Sequence, residues 1–128
     1  GAGGAGAHEE GGELSSDRAS FVREGGPEVV SSHAGRTLVL MYPDYAGRGS
    51  YGLACLEGYT GERLLLAGEW ADCTLGAYTE GLAESGQSFS ALFQAAVECD
   101  FELESRLRLP SWPLFIDTLM VWRRKQRA

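Results

Sequence analysis

The sequence predicts an α/β domain built on a mixed sheet of about four strands. Two short apolar runs, Leu38–Tyr42 and Leu64–Gly68, are bounded by turn-forming residues, as strands buried on both faces usually are. A third stretch, Phe101–Leu109, alternates between a mainly apolar side and a charged side, which is typical of a half-exposed strand. Helical patterns separate these runs. The elements therefore follow the order helix, strand, helix, strand, helix, strand, strand.

The composition limits the function classes that fit this chain. Its 128 residues suffice for one domain with a core of its own. The net charge of −7 argues against direct contact with nucleic acid, because phosphate binding needs a basic surface. A membrane-spanning helix needs about 20 consecutive apolar residues, and the sequence has no such run. The three cysteines have no metal-ligand spacing, so we expect them to be reduced and mostly buried, in a reducing compartment, and we expect no metal site.

Residues 1–20 are rich in glycine and poor in large apolar side chains, which predicts an irregular N-terminal arm. The GAGGAGA segment resembles a phosphate-binding loop only in composition, because such a loop follows a buried strand and opens a helix. The chain does not begin with methionine, which fits removal of a targeting segment, although a shortened chain would begin in the same way.

Helix signals precede each of the first three strands. Pro27–Ser32 begins with proline at the first helical position, where it is well tolerated. Tyr51–Tyr59 follows a possible N-cap at Ser50, and Phe89–Glu98 follows another at Ser88. The segment between the second strand and the third helix is interrupted by glycine, and the sequence leaves open whether it is helix or loop.

The C-terminal part predicts a strand pair. A rigid turn around Trp112 leads into the last strand, Thr118–Arg123, which we expect to run antiparallel to its predecessor, with Trp112 packing across the pair. A basic cluster closes the domain before the tail, residues 126–128. This cluster is either a solvated end of the chain or a docking contact, and its candidate interaction residues are Arg123, Arg124 and Lys125.

Three segments carry a resemblance to a known family: LVLMYPDY, LLLAGEW and LRLPSWPLFIDTLMVWRR. Together with the element order, they resemble the C-terminal half of a class I S-adenosylmethionine-dependent methyltransferase, in a half domain over residues 21–125. The resemblance implies a truncated, Rossmann-like three-layer sheet. In the family's strand numbering, the chain would contribute four strands in the order 4-5-7-6, ending in an antiparallel pair.

Two departures from that family bear on function. The family binds its cofactor through strands 1 and 2, with a glycine-rich turn and an acidic residue, and these have no counterpart in this sequence. Amino-methylating relatives also carry an Asn/Asp-Pro-Pro-aromatic motif after strand 4, whereas the tetrad here is Tyr42-Pro43-Asp44-Tyr45. We therefore expect catalysis to be lost, with no catalytic residue and no cofactor.

Polar and aromatic side chains nevertheless follow the first two strands, where open α/β sheets usually bind ligands. Each has a simpler explanation as a turn-forming, solvated or core residue. The candidate residues for such a strand-end crevice are Tyr42, Asp44, Tyr45, Glu69 and Trp70.

The first strand raises a separate question, because in a half-sheet it becomes an edge. An apolar strand at an edge presents unpaired backbone groups that invite another chain. Leu38 and Leu40 are the candidate interaction residues, and either Ser20–Val22 or a partner protein is expected to cover them.

These observations predict a non-catalytic, methyltransferase-derived structural subunit of a large protein complex, which docks through its exposed sheet edge and its N-terminal arm. We expect no direct contact with nucleic acid and no transmembrane segment. The expected compartment is an organelle, with a plastid photosynthetic complex favoured over a mitochondrial one and a position at the periphery of a membrane complex allowed. The alternative is a methyltransferase, or a half-enzyme that another chain completes. Only that alternative implies S-adenosylmethionine as cofactor.

Overall fold

The computed structural model describes residues 21–44, 49–71, 88–113 and 115–126. The N-terminal arm (residues 1–20), the candidate Tyr45 and most of the segment that follows the second strand lie outside the described residues. Among the described residues, no helix is long and apolar enough to cross a membrane.

The described chain forms an α/β fold with one four-stranded mixed sheet. The elements are a 3₁₀ helix η1 (Pro27–His33), strand β1 (Leu38–Met41), helix α1 (Tyr51–Gly58), strand β2 (Arg63–Gly68), helix α2 (Ala91–Asp100), and strands β3 (Phe101–Arg108) and β4 (Thr118–Arg124). The α/β class and the element order predicted above are confirmed. The predicted cap at Ser88 is wrong, because the Oγ of Ser90 caps α2 by accepting a hydrogen bond from the Phe93 N–H.

The spatial order of the strands is β1-β2-β4-β3. β1 and β2 are parallel, with Leu38 opposite Leu64, and β4 runs antiparallel to both β2 and β3. A sheet of four strands with a terminal antiparallel pair is therefore present. Its relation to a larger Rossmann-like sheet stays a prediction.

The core lies on one face of the sheet. Alternate residues of a strand point to the same face, and here Leu40, Leu64, Leu66, Met120 and Trp122 face the helices. Both α-helices contribute to this core. Their buried side chains in it are Cys55, Leu56, Phe93 and Val97. The described helices thus share one face, and the second helical layer expected for a three-layer sheet is not among the described residues.

Strand β3 departs from its predicted alternation because it contains a β-bulge. Leu103 pairs with Trp122 but Ser105 pairs with Val121, so Glu104 is an extra residue. Beyond the bulge, Leu107 lies on the opposite face from Leu103, and it is 61% exposed. The prediction that one side of this strand is buried is therefore wrong: of the strand, only Phe101 is buried.

The structure contradicts the prediction for Trp112 and one of the two alternatives for covering β1. Trp112 is 80% exposed and does not pack across the terminal strands. Phe21 and Val22 are 96% and 70% exposed and belong to no strand, so they do not cover the edge of β1. Ser20 lies outside the described residues. Of the cysteines, which we expected to be mostly buried, Cys55 is buried and Cys99 is exposed, and Cys73 lies outside the described residues.

Candidate functional site

Asp44 connects the first strand to the starts of both α-helices. The residue is 2% exposed. Its Oδ1 accepts a hydrogen bond from the Gly52 N–H at 3.2 Å, and its Oδ2 accepts one from the Ser90 N–H at 3.1 Å. Both donors lie at helix N-termini, where backbone N–H groups lack partners within the helix and negative charge is favourable. Both oxygens of this carboxylate are therefore engaged in holding α1 and α2 together.

Glu69, at the end of β2, is also buried, with 1% exposure. Its Oε1 accepts a hydrogen bond from the Ile116 N–H at 3.1 Å, which fixes the segment that leads into β4. Its own N–H donates to the Oγ of Ser88 at 2.9 Å. Gly68 makes this approach possible, because its φ is 145° and a Cβ there would collide with the Ser88 side chain. Glu69 thus joins β2, α2 and the β4 entry.

Trp70 belongs to the core rather than to an open crevice. It is 2% exposed and its ring lies 5.2 Å from that of Phe89 and 5.3 Å from that of Trp122, measured between centroids. Its indole N–H donates to Oε1 of Glu98 on α2 at 3.1 Å. Such contacts supply both the apolar burial and the hydrogen-bond partner that a buried tryptophan requires.

Tyr42 is the strand-end candidate that remains accessible, with 52% exposure. Its backbone has a φ of 48°, in the left-handed region that non-glycine residues rarely adopt. Partial burial raises the pKa of its phenol, and the charge of Asp117, a hydrogen bond to Asp117 and the charge of Glu69 raise it further. The Tyr42 phenol therefore lies close enough to Asp117 and Glu69 to be affected by both. Tyr45, the remaining candidate, lies outside the described residues.

The outer edge of β1 is unpaired in the described part of the chain. The Tyr42 N–H donates to the Ala67 carbonyl oxygen at 3.0 Å, and in a parallel pair alternate residues bond to the same neighbour. The backbone groups of Leu38 and Leu40 therefore point toward β2. Those of Val39 and Met41 point away from it, toward the free edge.

Side chains on both faces of β1 are apolar. Leu38 is half-buried and Leu40 is buried on the helical side, whereas Val39 and Met41 are 47% and 60% exposed on the other face. The sequence analysis singled out the leucines and missed Val39 and Met41. The signal was available, because a four-residue apolar run leaves the alternate residues of an edge strand without partners.

The C-terminal basic residues differ in their roles. The Arg124 guanidinium donates to the carbonyl oxygens of Gly61 and Tyr59 at 2.8 and 2.9 Å and lies 4.5 Å over the ring of Phe101. Lys125 donates through Nζ to the Glu98 and Cys99 carbonyl oxygens, at 2.9 and 3.2 Å, at the end of α2.

These bonds connect the end of β4 to the segment between α1 and β2 and to the end of α2. Of the three candidate docking cations, Arg123 alone has an exposed side chain that forms no hydrogen bond or ion pair with the described chain.

Within the described ranges, no three His, Cys, Asp or Glu side chains are grouped so that they could hold a metal ion. No protein-family model matches the chain, and neither a curated protein nor a solved structure was found to be similar to it. The resemblance to a methyltransferase half therefore depends on the sequence motifs and the order of the elements.

Proposed function

We propose that this chain is a non-catalytic, methyltransferase-derived subunit that docks into a larger protein assembly through the free edge of β1. The observation that carries the proposal is the pair of outward-facing backbones at Val39 and Met41, on a strand that is apolar on both faces. An added strand would satisfy these backbone groups and cover the exposed side chains at once.

The two edges of the sheet support this interpretation by their difference. β3, the opposite edge, carries Glu102, Glu104, Arg106 and Arg108 and contains a bulge, and these are the features that keep edge strands from pairing. β1 has no charged residue and no bulge. One edge is protected against association and the other is not, as expected for a strand that is covered in the assembled state.

The state of the strand-end residues supports a non-catalytic role. A carboxylate that positions a substrate amine must be accessible to it, whereas Asp44 is 2% exposed and each of its oxygens accepts a backbone hydrogen bond. Trp70 is buried in the core. The proposal also keeps the organellar setting, with the plastid preferred, since the acidic charge speaks against an RNA-rich assembly.

The alternative, a methyltransferase half that another chain completes, predicts the same edge but a different occupant. Its partner would bring the cofactor-binding strands to β1, and S-adenosylmethionine would bind across the junction. The two proposals therefore share the docking edge. They differ in whether the cofactor binds and in whether Asp44 takes part in the function.

The test uses the chain alone and two matched double variants. Sedimentation velocity should show concentration-dependent self-association of the natural chain, because an uncovered apolar edge pairs with other edges. V39K/M41K should be monomeric, because lysine blocks such pairing, whereas the same double change on the opposite edge, S105K/L107K, should leave association unchanged.

Calorimetric titration of S-adenosylmethionine into the chain should give no heat, which would exclude a methyltransferase that binds the cofactor without a partner. A natural chain that stays monomeric at every concentration would remove the basis of the docking edge. Heat of cofactor binding would return the chain to the methyltransferases.

A further inference from the structure

An apolar cleft with a basic rim lies beside the start of β1, on the helical side of the sheet. Its volume is about 250 Å³. The residues that line it are Val29, Val30, His33, Arg36, Thr37, Leu38 and Tyr59. Pockets for drug-sized ligands usually measure about 300–1,000 Å³. The cleft is below this range and fits a single large apolar side chain better than a small molecule.

The position of the cleft follows from how Tyr59 holds the chain. The Tyr59 hydroxyl donates a hydrogen bond to the Arg36 carbonyl oxygen at 2.6 Å. It also lies 2.8 Å from the Arg63 carbonyl oxygen, and the Arg63 N–H donates to the Tyr59 hydroxyl oxygen. The Arg36 N–H donates to the His33 carbonyl oxygen at 3.0 Å. The backbone at the cleft entrance is therefore fixed, immediately before the strand whose edge is free.

The rim of the cleft is basic in a protein whose net charge is −7. Arg36 is exposed, and its guanidinium forms no hydrogen bond or ion pair with any described residue. His33 lies on the same rim, and the charged residues that line a second hollow next to it are Arg23, Glu24 and Arg36. A negatively charged group from outside the chain would find an exposed guanidinium without an ion pair here.

We infer that the partner at β1 is an extended segment that inserts a large apolar side chain into this cleft and places a carboxylate against Arg36. The inference rests on the proposed docking function and specifies its partner. In an added strand, side chains two residues apart point to the same face about 7 Å from each other. The apolar residue and the acidic residue therefore stand two positions apart in the partner.

A second copy of this chain does not meet that description. An antiparallel pair of β1 strands would bring residues 36–43 of the second copy to the edge, and the segment RTLVLMYP contains no acidic residue. The nearest carboxylate, that of Asp44, is buried and bonded to two backbone N–H groups. Self-pairing at the edge would thus leave Arg36 without a partner.

The experiment measures binding of two fluorescein-labelled octapeptides by anisotropy, at chain concentrations below self-association. Their sequences are Thr-Glu-Thr-Leu-Thr-Val-Thr-Lys and its reverse order, which cover a parallel and an antiparallel strand. In the peptide that binds more tightly, replacing leucine by alanine should weaken binding about tenfold, because the cleft loses its apolar contact.

A charge exchange tests the role of Arg36. Replacing the peptide's glutamate by lysine should weaken binding to the natural chain about fivefold. The same lysine peptide should bind R36E more tightly than it binds the natural chain. The control is R108E, which reverses a charge on the far edge of the sheet. It should bind the glutamate peptide and the lysine peptide with the affinities of the natural chain. V29W, which fills the cleft from its exposed side, should lose the preference for leucine over alanine.

The outcomes separate this inference from the docking proposal. If at least one peptide binds, and V39K/M41K abolishes binding, but the leucine and glutamate changes have no effect, the cleft inference is overturned and the docking edge stands. If neither peptide binds up to about 1 mM, both are overturned. Circular dichroism of each variant confirms that it is folded.

Discussion

The carboxyl ends of the strands and the outer edge of β1 make an instructive contrast. The strand ends hold the polar residues that suggested a ligand crevice, but the structure engages Asp44 and Glu69 in buried hydrogen bonds within the fold. The edge of β1 holds no polar side chain, yet its backbone and its exposed side chains lack partners in the described chain. Polar groups whose hydrogen bonds are already made within the fold are poor evidence for a binding site. Backbone groups and apolar side chains that lack partners are better evidence.

The strongest test of this contrast is truncation of Trp70. If the strand-end region is core, W70A should lower the free energy of unfolding by about 4 kcal/mol, as large aromatic truncations in cores do. The change removes the ring contacts with Phe89 and Trp122 and the hydrogen bond to Glu98. Urea unfolding followed by far-UV circular dichroism measures the loss.

W112A is the matched control, because Trp112 is 80% exposed and should lose less than about 1 kcal/mol. Equal losses for the two tryptophans would contradict the assignment of Trp70 to the core. The crevice at the strand ends would then be open again as a ligand site.

Asp44 gives the next largest effect. D44A leaves the N–H groups of Gly52 and Ser90 buried without their acceptor, which should cost about 3 kcal/mol. D44N keeps the volume but supplies one carbonyl oxygen in place of two, so we expect an intermediate loss. The measurement is again the free energy of unfolding in urea.

The control for Asp44 is D100N, since Asp100 is exposed at the end of α2 and its substitution should change stability by less than about 0.5 kcal/mol. A stable D44A chain would show that the carboxylate is not needed by the fold. A function at the strand ends would then regain support.

The sequence was a good guide to the elements and a poor guide to their faces. The apolar runs that became β1 and β2, and the proline that begins η1, are local signals. The bulge at Glu104 is not local, because it depends on how β3 pairs with β4, and it turned Leu107 to the opposite face. In the same way, the burial of Asp44 depends on two helices that meet only in the folded chain.

The smallest predicted effect is at Tyr42, where the strand end and the free edge meet. The phenol is half-exposed, so Y42F should change the free energy of unfolding by less than about 0.5 kcal/mol at pH 7. At high pH the two chains should differ, because the pKa of Tyr42 is raised in the fold, first by partial burial and then by Asp117.

The sign of this pH effect follows from linkage. A group whose pKa is raised in the folded state contributes stability below its unfolded pKa, which is near 10 for tyrosine. That contribution disappears as the pH rises through the folded value. Above pH 10 the natural chain should therefore lose stability more steeply than Y42F, and D117N should reduce the difference, because it removes the neighbouring charge. If the free energy of unfolding depends on pH in the same way for all three chains, Tyr42 does not interact with the strand-end carboxylates. It would then be grouped with the exposed residues of the free edge.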